Sequence, residues 1–286
     1  MAYWLMILLG KLLTSFLLVS NFLQQHFANG EPQVPCLFIF GDSLSDNGNN
    51  NDRATLAKAN YQPYGIDFPK GTTGRFTNGR NLPDFIAEKL GFPHDSIPSY
   101  ANAAVGSVKK ILKGVNYASG GSGILTESVK TMTLHKREAR KVVVFGLGLL
   151  GCIPYEVRIN GANISGCVDK FNEAVILFNS RLKSLVSYLN NNLTKATFIF
   201  INSTGISLDS NIPVSNAACC QVSELVSAPQ CIPLPFGKVC SNRTQYAFWD
   251  ELHPSETAFS AIAARAYRAL LPTDSYPFDI QRLAQL

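Results

Sequence analysis

Residues 37–48 read LFIFGDSLSDNG, and the interpretation of the whole chain begins with them. The first four residues are apolar and largely aromatic, which is the pattern of a short buried strand. Gly41 then permits a sharp turn into a cluster of Asp, Ser and Asn residues. A serine in such a strand-to-helix turn lies at the rim of the sheet, where neighbouring backbone N–H groups can bind an oxyanion. We therefore predict that Ser43 is a nucleophile, although an ordinary polar turn fits Gly-Asp-Ser equally well.

A second stretch, FWDELHP at residues 248–254, supplies the base that such a nucleophile requires. Asp250 precedes His253 by three residues, a spacing at which its carboxylate can reach one imidazole nitrogen. The other nitrogen is then free to take the serine proton. A surface histidine ahead of a helix is the alternative role for His253. The chain has only four histidines, and the other three lie in a predicted leader, a proline-flanked loop and a charged run: His26, His94 and His135. Elimination therefore favours His253 as the base.

Several further stretches match one family in that family's own order. They are FIFGDSLSDNGNNN (38–51), PYGIDFPKGTTGRFTNGR (63–80), GVNYASGGSGIL (114–125), ARKVVVFGLGLLGCIP (139–154), CSNRTQYAFWDELHP (240–254) and YPFDIQRLAQL (276–286). The chain resembles the plant GDSL esterase/lipase family of the SGNH hydrolases over nearly everything after its first thirty residues. The resemblance implies an α/β fold with three layers, α/β/α, around a flavodoxin-like, mainly parallel sheet. It also implies hydrolysis of carboxylic ester bonds.

The resemblance implies a role for each site residue as well. Ser43 attacks the ester carbonyl, His253 transfers the proton and Asp250 orients His253. The backbone N–H of Ser43 and one N–H from a glycine-rich loop bind the oxyanion, with Gly121 favoured over Gly120 as the loop donor. A flexible loop without that role is the alternative that the residues alone favour. This chemistry requires no metal and no other cofactor.

The chain departs from the family in one place. The family has a long segment between its second strand and the strand that begins here near Val142, and that segment carries a Gly-x-Asn-Asp block whose first Asn completes the oxyanion hole. Here 16 residues, 125–140, separate Ile124 from Lys141, and no such block occurs. We place the join near 127–133. The expected sheet therefore lacks a central strand. A splice variant or an incomplete gene model would explain this loss.

The N-terminal region predicts export. Residues 1–28 form a predicted signal peptide, because Leu5–Val19 is nearly all apolar and a polar stretch follows. Lys11 inside the apolar run disfavours the alternative of a membrane anchor, so we expect no stable membrane span after cleavage. Residues 29–286 then form a single hydrolase domain. The formal net charge of +5 is too small to suggest a nucleic-acid partner.

Cysteines and sequons agree with an extracellular location. Seven cysteines in a secreted chain predict disulfides and one unpaired thiol, and we expect the unpaired cysteine to be Cys36. Cys152 and Cys167 can close a short loop. The late cysteines can pair with one another in ways that the sequence does not resolve: Cys219, Cys220, Cys231 and Cys240. No Cys-x-x-Cys pair suggests a metal site. Glycosylation is predicted at the four Asn-x-Ser/Thr sites: Asn163, Asn192, Asn202 and Asn242.

Hydrophobic periodicity predicts the remaining elements. The strands are Val115–Ala118, Val142–Phe145 and Phe198–Ile201; the helices are Asn81–Leu90, Phe171–Leu189 and Ser255–Leu270; and Gly65–Arg80 is a surface loop. In the long helix the predicted core positions include Ala174, Val175, Val186 and Leu185. Residues 146–151 spell G-x-G-x-x-G after a strand. We reject dinucleotide binding, because the strand is mid-chain and Pro154 sits where the helix should already have begun.

These observations predict a secreted serine esterase or lipase that acts on small-molecule or polymeric esters through an acyl-enzyme on Ser43. The rival hypothesis is a catalytically impaired or silent secreted relative that binds esters or glycans. The missing Asn block is the feature that favours the rival.

Overall fold

A computed structural model describes residues 31–103, 111–123, 138–161, 166–223 and 228–286. The predicted signal peptide, the predicted join near 127–133 and the sequon at Asn163 lie outside the described residues. In the part of the chain that is described, no helix is long and apolar enough to cross a bilayer.

The described elements are short strands and helices. The strands are β1 (Leu37–Ile39), β2 (Gly114–Asn116), β3 (Lys141–Phe145), β4 (Thr197–Ile201), β5 (Val214–Ala218), β6 (Val222–Ser223), β7 (Ala228–Cys231), β8 (Tyr246–Phe248) and β9 (Ser275–Tyr276). The α-helices are α1 (Leu82–Lys89), α2 (Tyr100–Ala103), α3 (Pro154–Asn160), α4 (Asp169–Asn192), α5 (Ser203–Leu208), α6 (Glu256–Tyr267) and α7 (Ile280–Gln285). Short 3₁₀ turns occupy Leu150–Cys152 and Arg243–Gln245.

The main strands run parallel, and helices cover them, so the fold is α/β as predicted. β1 pairs in parallel with β2, and β3 pairs in parallel with β4, whose other edge carries the antiparallel β9. One face packs on α1, α6 and α7 through a cluster that includes Ile199, Ile201 and Phe259. The opposite face of β3 and β4 packs on α4 through Val186 and Phe198. Helices therefore lie on both sides of this pair of strands.

The two parallel pairs are not joined into one sheet in the described part of the chain. No described strand pairs with the second edge of β1 or of β3. Leu37 and Ile39 of β1 nevertheless contact the same apolar cluster as Val143 and Phe145 of β3. The two pairs thus share one helical layer without sharing hydrogen bonds.

The expectation that residues 37–40 form a fully buried strand is wrong for its aromatic side chains. Phe38 is 45% exposed and Phe40 is 54% exposed. Phe40 stacks on Tyr117, with ring centroids 5.3 Å apart. The physical reason is that helices cover only one face of this strand among the described residues. Leu37 and Ile39 lie on the covered face, and because successive side chains alternate, Phe38 and Phe40 lie on the other face.

The long amphipathic helix was predicted correctly, and α4 extends a few residues beyond the predicted ends at both sides. Val175 and Val186 are buried against the sheet, as expected. Ala174 and Leu185 are exposed, so their assignment to the core is wrong. Because α4 covers only a narrow sheet, just one stripe of its surface finds a partner.

The predicted helices on the other face are confirmed. α1 begins after Asn81, whose side chain accepts from the N–H of Asp84 while the Asp84 carboxylate accepts from the N–H of Asn81. α6 begins after Ser255, whose hydroxyl accepts from Ala258 N–H. Residues 65–80 are irregular, as predicted, but they are not a surface loop, because Phe68, Phe76 and other side chains of this segment are buried.

Candidate active site

Ser43 lies in a series of tight turns at the end of β1. The backbone carbonyl of Asp42 accepts from the N–H groups of Ser45 and Asp46, at 3.2 and 3.0 Å. The Asp42 carboxylate accepts from Leu44 N–H at 2.9 Å. The turn follows the strand as predicted, but the predicted helix after it is wrong, since the chain continues in turns through residue 52. Ser43 is partly exposed at the strand end.

The structure brings Ser43, His253 and Asp250 together. His253 Nε2 lies 2.9 Å from Ser43 Oγ, across 210 positions of sequence. His253 Nδ1 lies 2.7 Å from Asp250 Oδ2 and 2.9 Å from Oδ1. Both His253 and Asp250 are buried. This arrangement holds the proton on Nδ1 and leaves Nε2 as the acceptor that faces the serine.

A local turn fixes the carboxylate of Asp250. Its Oδ1 accepts from the N–H groups of Leu252 and His253 at 2.8 and 2.7 Å. The carbonyl of His253 in turn accepts from Trp249 N–H at 2.8 Å. These bonds satisfy backbone groups that would otherwise be buried without partners. The three-residue spacing identified in the sequence is therefore the spacing of a closed turn.

The two loop glycines differ in what their N–H groups contact. Gly120 N–H donates to Asp46 Oδ2 at 2.8 Å. Gly121 has φ +82°, and a Cβ at this position would meet nothing within 4 Å. Among the described residues, the N–H groups of Ser43 and Gly121 have no acceptor. Of the two candidates for the loop donor, Gly121 is thus the one whose N–H remains available.

A buried polar network anchors this loop to the turn that follows Ser43. Asp46 is fully buried, and its Oδ1 also accepts from Gly48 and Asn49 N–H. Burial raises the pKa of Asp46, against the three N–H groups that favour its ionised form. The Asn50 amide donates to Gly120 O at 2.8 Å. The cluster of Asp and Asn residues after Ser43 was the sequence signal for this network, but it did not identify the partners.

A tyrosine that the sequence analysis did not single out contacts the same carboxylate. Tyr64 donates its hydroxyl proton to Asp250 Oδ2 at 2.6 Å and is fully buried. The N–H of Cys231 donates to the Tyr64 hydroxyl at 3.2 Å. The ring of Phe76 lies 5.0 Å from the imidazole of His253, between centroids. No spacing pattern connects these residues, because Tyr64 and Asp250 are 186 positions apart.

Glu251 ties the His253 turn to its surroundings. Its carboxylate accepts two bonds from Arg158 of α3, at 2.7 and 2.6 Å. Its carbonyl accepts from Tyr155 N–H, and its own N–H donates to Pro229 O, both at 3.1 Å. The turn is therefore held from one side by α3 and from the other by β7.

The cysteine predictions are confirmed. Disulfides join Cys152 to Cys167, and the four late cysteines pair as Cys219–Cys240 and Cys220–Cys231. Cys36 is a free, half-buried thiol. Among the described sequons, Asn192 and Asn242 are exposed. Asn202 is half-buried and caps α5, accepting from Gly205 N–H and donating to Thr273 O. Within the described ranges, no group of three or more His, Cys, Asp or Glu side chains has the arrangement of a metal site.

One known family matches the chain over most of its length. The family model described as GDSL-like Lipase/Acylhydrolase matches residues 37–138 and 124–266. The two matched ranges overlap at 124–138, so that short stretch is used at the end of one match and at the start of the other. Together the matches cover all of the residues discussed above as candidate site residues.

Curated relatives from Arabidopsis thaliana carry similar names. The chain is 35% identical to GDSL esterase/lipase At1g29670 over 348 aligned positions, covering 91% of this chain and 94% of the relative. It is 33% identical to GDSL esterase/lipase At4g18970 (91% and 95% covered) and 34% identical to GDSL esterase/lipase 7 (90% and 93% covered). The alignment of 348 positions is longer than the 286 residues of this chain. The relative therefore contains residues that have no counterpart here.

Proposed function

This chain belongs to the GDSL-like lipase/acylhydrolase family, and we propose on that basis that it hydrolyses carboxylic esters through a covalent acyl-enzyme on Ser43. One observation carries the proposal: His253 Nε2 lies 2.9 Å from Ser43 Oγ while Nδ1 lies 2.7 Å from the buried Asp250 carboxylate. The relatives are named esterase/lipase, which supports the same reaction class.

The acylation step follows from the direction of these hydrogen bonds. Ser43 Oγ attacks the ester carbonyl carbon while its proton moves to His253 Nε2. Asp250 stabilises the imidazolium that forms. Collapse of the tetrahedral intermediate expels the alcohol, which takes the proton back from Nε2. Water then attacks the acyl-enzyme by the same route, with His253 again as the base, and the acid leaves Ser43.

The oxyanion is bound by backbone N–H groups. Those of Ser43 and Gly121 support this role, because neither has an acceptor among the described residues. The bond from Gly120 to Asp46 fixes the loop so that the next N–H is presented instead. The family's third donor, the Asn of the missing block, has no equivalent in the sequence. Loss of one such donor typically lowers turnover by about 10²–10³-fold, so we expect slow hydrolysis.

An internal deletion near 127–133 is part of the proposal. The family matches overlap at 124–138, and the relatives contain unmatched residues. The unjoined strands support the same conclusion, because a strand placed between β1 and β3 would complete a continuous parallel sheet of the flavodoxin type.

Secretion completes the proposal. Three disulfides are typical of proteins from oxidising compartments, which agrees with the predicted signal peptide at 1–28. Asn192 and Asn242 are better glycan acceptors than Asn202, because they are exposed whereas Asn202 is half-buried. The alternative of a silent ester- or glycan-binding relative is not favoured, since a silent protein has no need of aligned serine, imidazole and carboxylate groups.

A panel of short- and long-chain acyl esters tests the proposal. We expect slow release of the alcohol by the purified secreted protein, loss of that release in Ser43→Ala, and faster turnover when a relative's segment is inserted at the join. Turnover that persists unchanged in Ser43→Ala would overturn the proposed mechanism. Equal turnover by the short and restored forms would overturn the account of the deletion.

A further inference from the structure

The carboxylate of Asp250 has two oxygens in different environments. Oδ1 accepts from two backbone N–H groups of its own turn, at 2.8 and 2.7 Å. Oδ2 accepts from the imidazole and from one other donor in the described structure, the hydroxyl of Tyr64 at 2.6 Å. Rotation of the carboxylate about its Cβ–Cγ bond is thus opposed at one end by the backbone and at the other end by Tyr64.

The direction of the Tyr64 bond is fixed. The N–H of Cys231 donates to the hydroxyl oxygen at 3.2 Å, so the hydroxyl proton is left to point at Asp250. A carboxylate can only accept, which gives the same assignment. Burial, together with the negative charge of Asp250, raises the pKa of Tyr64 well above its ordinary value of 10.0. The hydroxyl therefore remains a donor at every pH at which an esterase works.

The scaffold that holds Tyr64 is rigid. Its ring packs edge-on against Tyr61 and Phe76, with centroids 5.2 and 6.3 Å away. It shares an apolar cluster with Trp249 and with Cys231, which is covalently tied to Cys220. None of these groups can move far without leaving a cavity. The position of the hydroxyl is consequently set by the core and not by the active-site turn.

We propose that Tyr64 is a positioning residue for the reaction: its hydroxyl fixes the Asp250 carboxylate, and through it the His253 ring, in the orientation that accepts the Ser43 proton. This inference rests on the proposed esterase function. It adds a fourth group to the Ser43, His253 and Asp250 arrangement, supplied by a distant core segment.

The hydroxyl has a second, electrostatic consequence. A hydrogen bond into Oδ2 withdraws negative charge from the carboxylate that faces the imidazole. Without it, Asp250 presents more negative charge to the imidazolium that forms during the reaction and stabilises it more strongly. Other ionisable groups lie on the segments packed around the site: Asp42, Asp46, Tyr61, Arg75, Arg158 and Glu251. Of these, Tyr61 interacts with the hydroxyl directly: burial and the charge of Asp250 raise the pKa of Tyr61, and a hydrogen bond with Tyr64 lowers it.

Tyr64→Phe removes the hydroxyl and keeps the ring. We expect kcat to fall about tenfold or more, the range for a lost hydrogen bond to a charged group, with KM little changed. The acid limb of the kcat/KM profile should move to higher pH. The far-downfield proton resonance of the bond between Nδ1 and Asp250 should also shift.

Tyr61→Phe is the matched control. The Tyr61 hydroxyl donates to the carbonyl of the same residue, Cys231, at 3.1 Å, but it does not reach Asp250. This variant also loses one hydroxyl from the same cluster. We expect its kcat, its pH profile and its downfield resonance to match the parent protein.

These measurements distinguish failure of the esterase proposal from failure of the positioning role of Tyr64. If the parent protein hydrolyses esters and Tyr64→Phe shows the same kcat, pH profile and resonance, Tyr64 is not a positioning residue. If the parent is inert but the resonance moves in Tyr64→Phe alone, the esterase proposal fails and the positioning role stands. If Tyr64→Phe does not fold, 3-fluorotyrosine is placed at position 64 instead, because it has a similar shape and is a stronger hydrogen-bond donor. We then expect the acid limb of the kcat/KM profile to move to lower pH. An acid limb that does not move would contradict the inference.

Discussion

At the scale of single residues, Asp250 permits a prediction about tautomers. Its Oδ1 accepts two backbone N–H bonds, so in Asp250→Asn the side-chain oxygen must occupy that position. The amide NH₂ then faces His253 Nδ1 and donates to it. The ring proton is forced onto Nε2, which can no longer accept from Ser43. We expect kcat to fall by about 10⁴-fold with the fold retained, as steady-state kinetics and circular dichroism would show; a loss below tenfold would contradict the assigned hydrogen-bond directions.

The sequence motifs singled out Ser43, Asp250 and His253, which the structure brings within hydrogen-bonding distance, but they did not single out the residues that contact them. Ser43, Asp250 and His253 lie in short motifs whose residue types and spacing are typical of the proposed chemistry. Tyr64 and Asp46 act on partners that are 186 and 74 positions away, so only the folded chain brings them into contact. The choice between Gly120 and Gly121 likewise depended on a bond that no local pattern encodes.

At the scale of elements, the start of α6 carries the turn that holds His253. Ser255 accepts from Ala258 N–H and donates to Tyr246 O at 2.6 Å, and it is fully buried. Ser255→Ala removes the cap and leaves both backbone groups without that partner. We expect the free energy of unfolding in urea to fall by about 1–2 kcal/mol. Ser180→Ala on the exposed surface of α4 is the control and should change it by less than about 0.5 kcal/mol.

The open face of β1 leads to a prediction about association. Phe38 is 45% exposed on a strand whose second edge is unpaired by any described strand. Exposed apolar edges of this kind promote pairing between chains. We expect the protein to self-associate as its concentration rises, and Phe38→Lys to reduce this association in analytical ultracentrifugation. Leu56→Lys, which changes an even more exposed apolar residue away from the strand edge, is the control. If the two substitutions reduce association equally, the exposed edge of β1 has no special role in it.

Periodicity predicted which elements exist better than it predicted which of their faces are buried. α1, α4 and α6 begin and end close to the predicted residues because caps and apolar spacing are local signals. Phe38 and Leu185 have the right periodicity for core residues, but they are exposed. Their burial depends on neighbouring elements, which periodicity within one segment cannot report.

At the scale of the whole molecule, buried carboxylates set the response to acid. Burial by itself would raise the pKa of Asp274, but hydrogen bonds from Arg265, Leu270 and Leu271 lower it below its ordinary value of 3.8. A lowered pKa contributes stability that is present above 3.8 and is lost as pH falls through the folded value. Asp67 and Asp95 have lowered pKa values for a similar reason. Asp46, whose pKa is raised, acts in the opposite sense.

We therefore expect the midpoint of thermal unfolding to fall steeply below about pH 4. Asp274→Asn should lower the midpoint at neutral pH, because Arg265 is left buried without its main partner, at a cost of about 3–5 kcal/mol. The same substitution should also reduce the slope with which the unfolding midpoint falls at acid pH. Asp209→Asn, which removes an exposed partner of the same arginine, should do neither. An unchanged acid slope in Asp274→Asn would show that this pair does not control the transition.

Covalent labelling tests the central claim of an acyl-enzyme on Ser43 most directly. The folded protein is treated with an organophosphonate, and the modified peptide is mapped by mass spectrometry in the parent chain and in Ser43→Ala. The account predicts an adduct on Ser43 in the parent and none in the variant, even where ester turnover is slow, because labelling requires only the nucleophile and its base. An adduct at another residue, or labelling that persists in Ser43→Ala, would contradict the account.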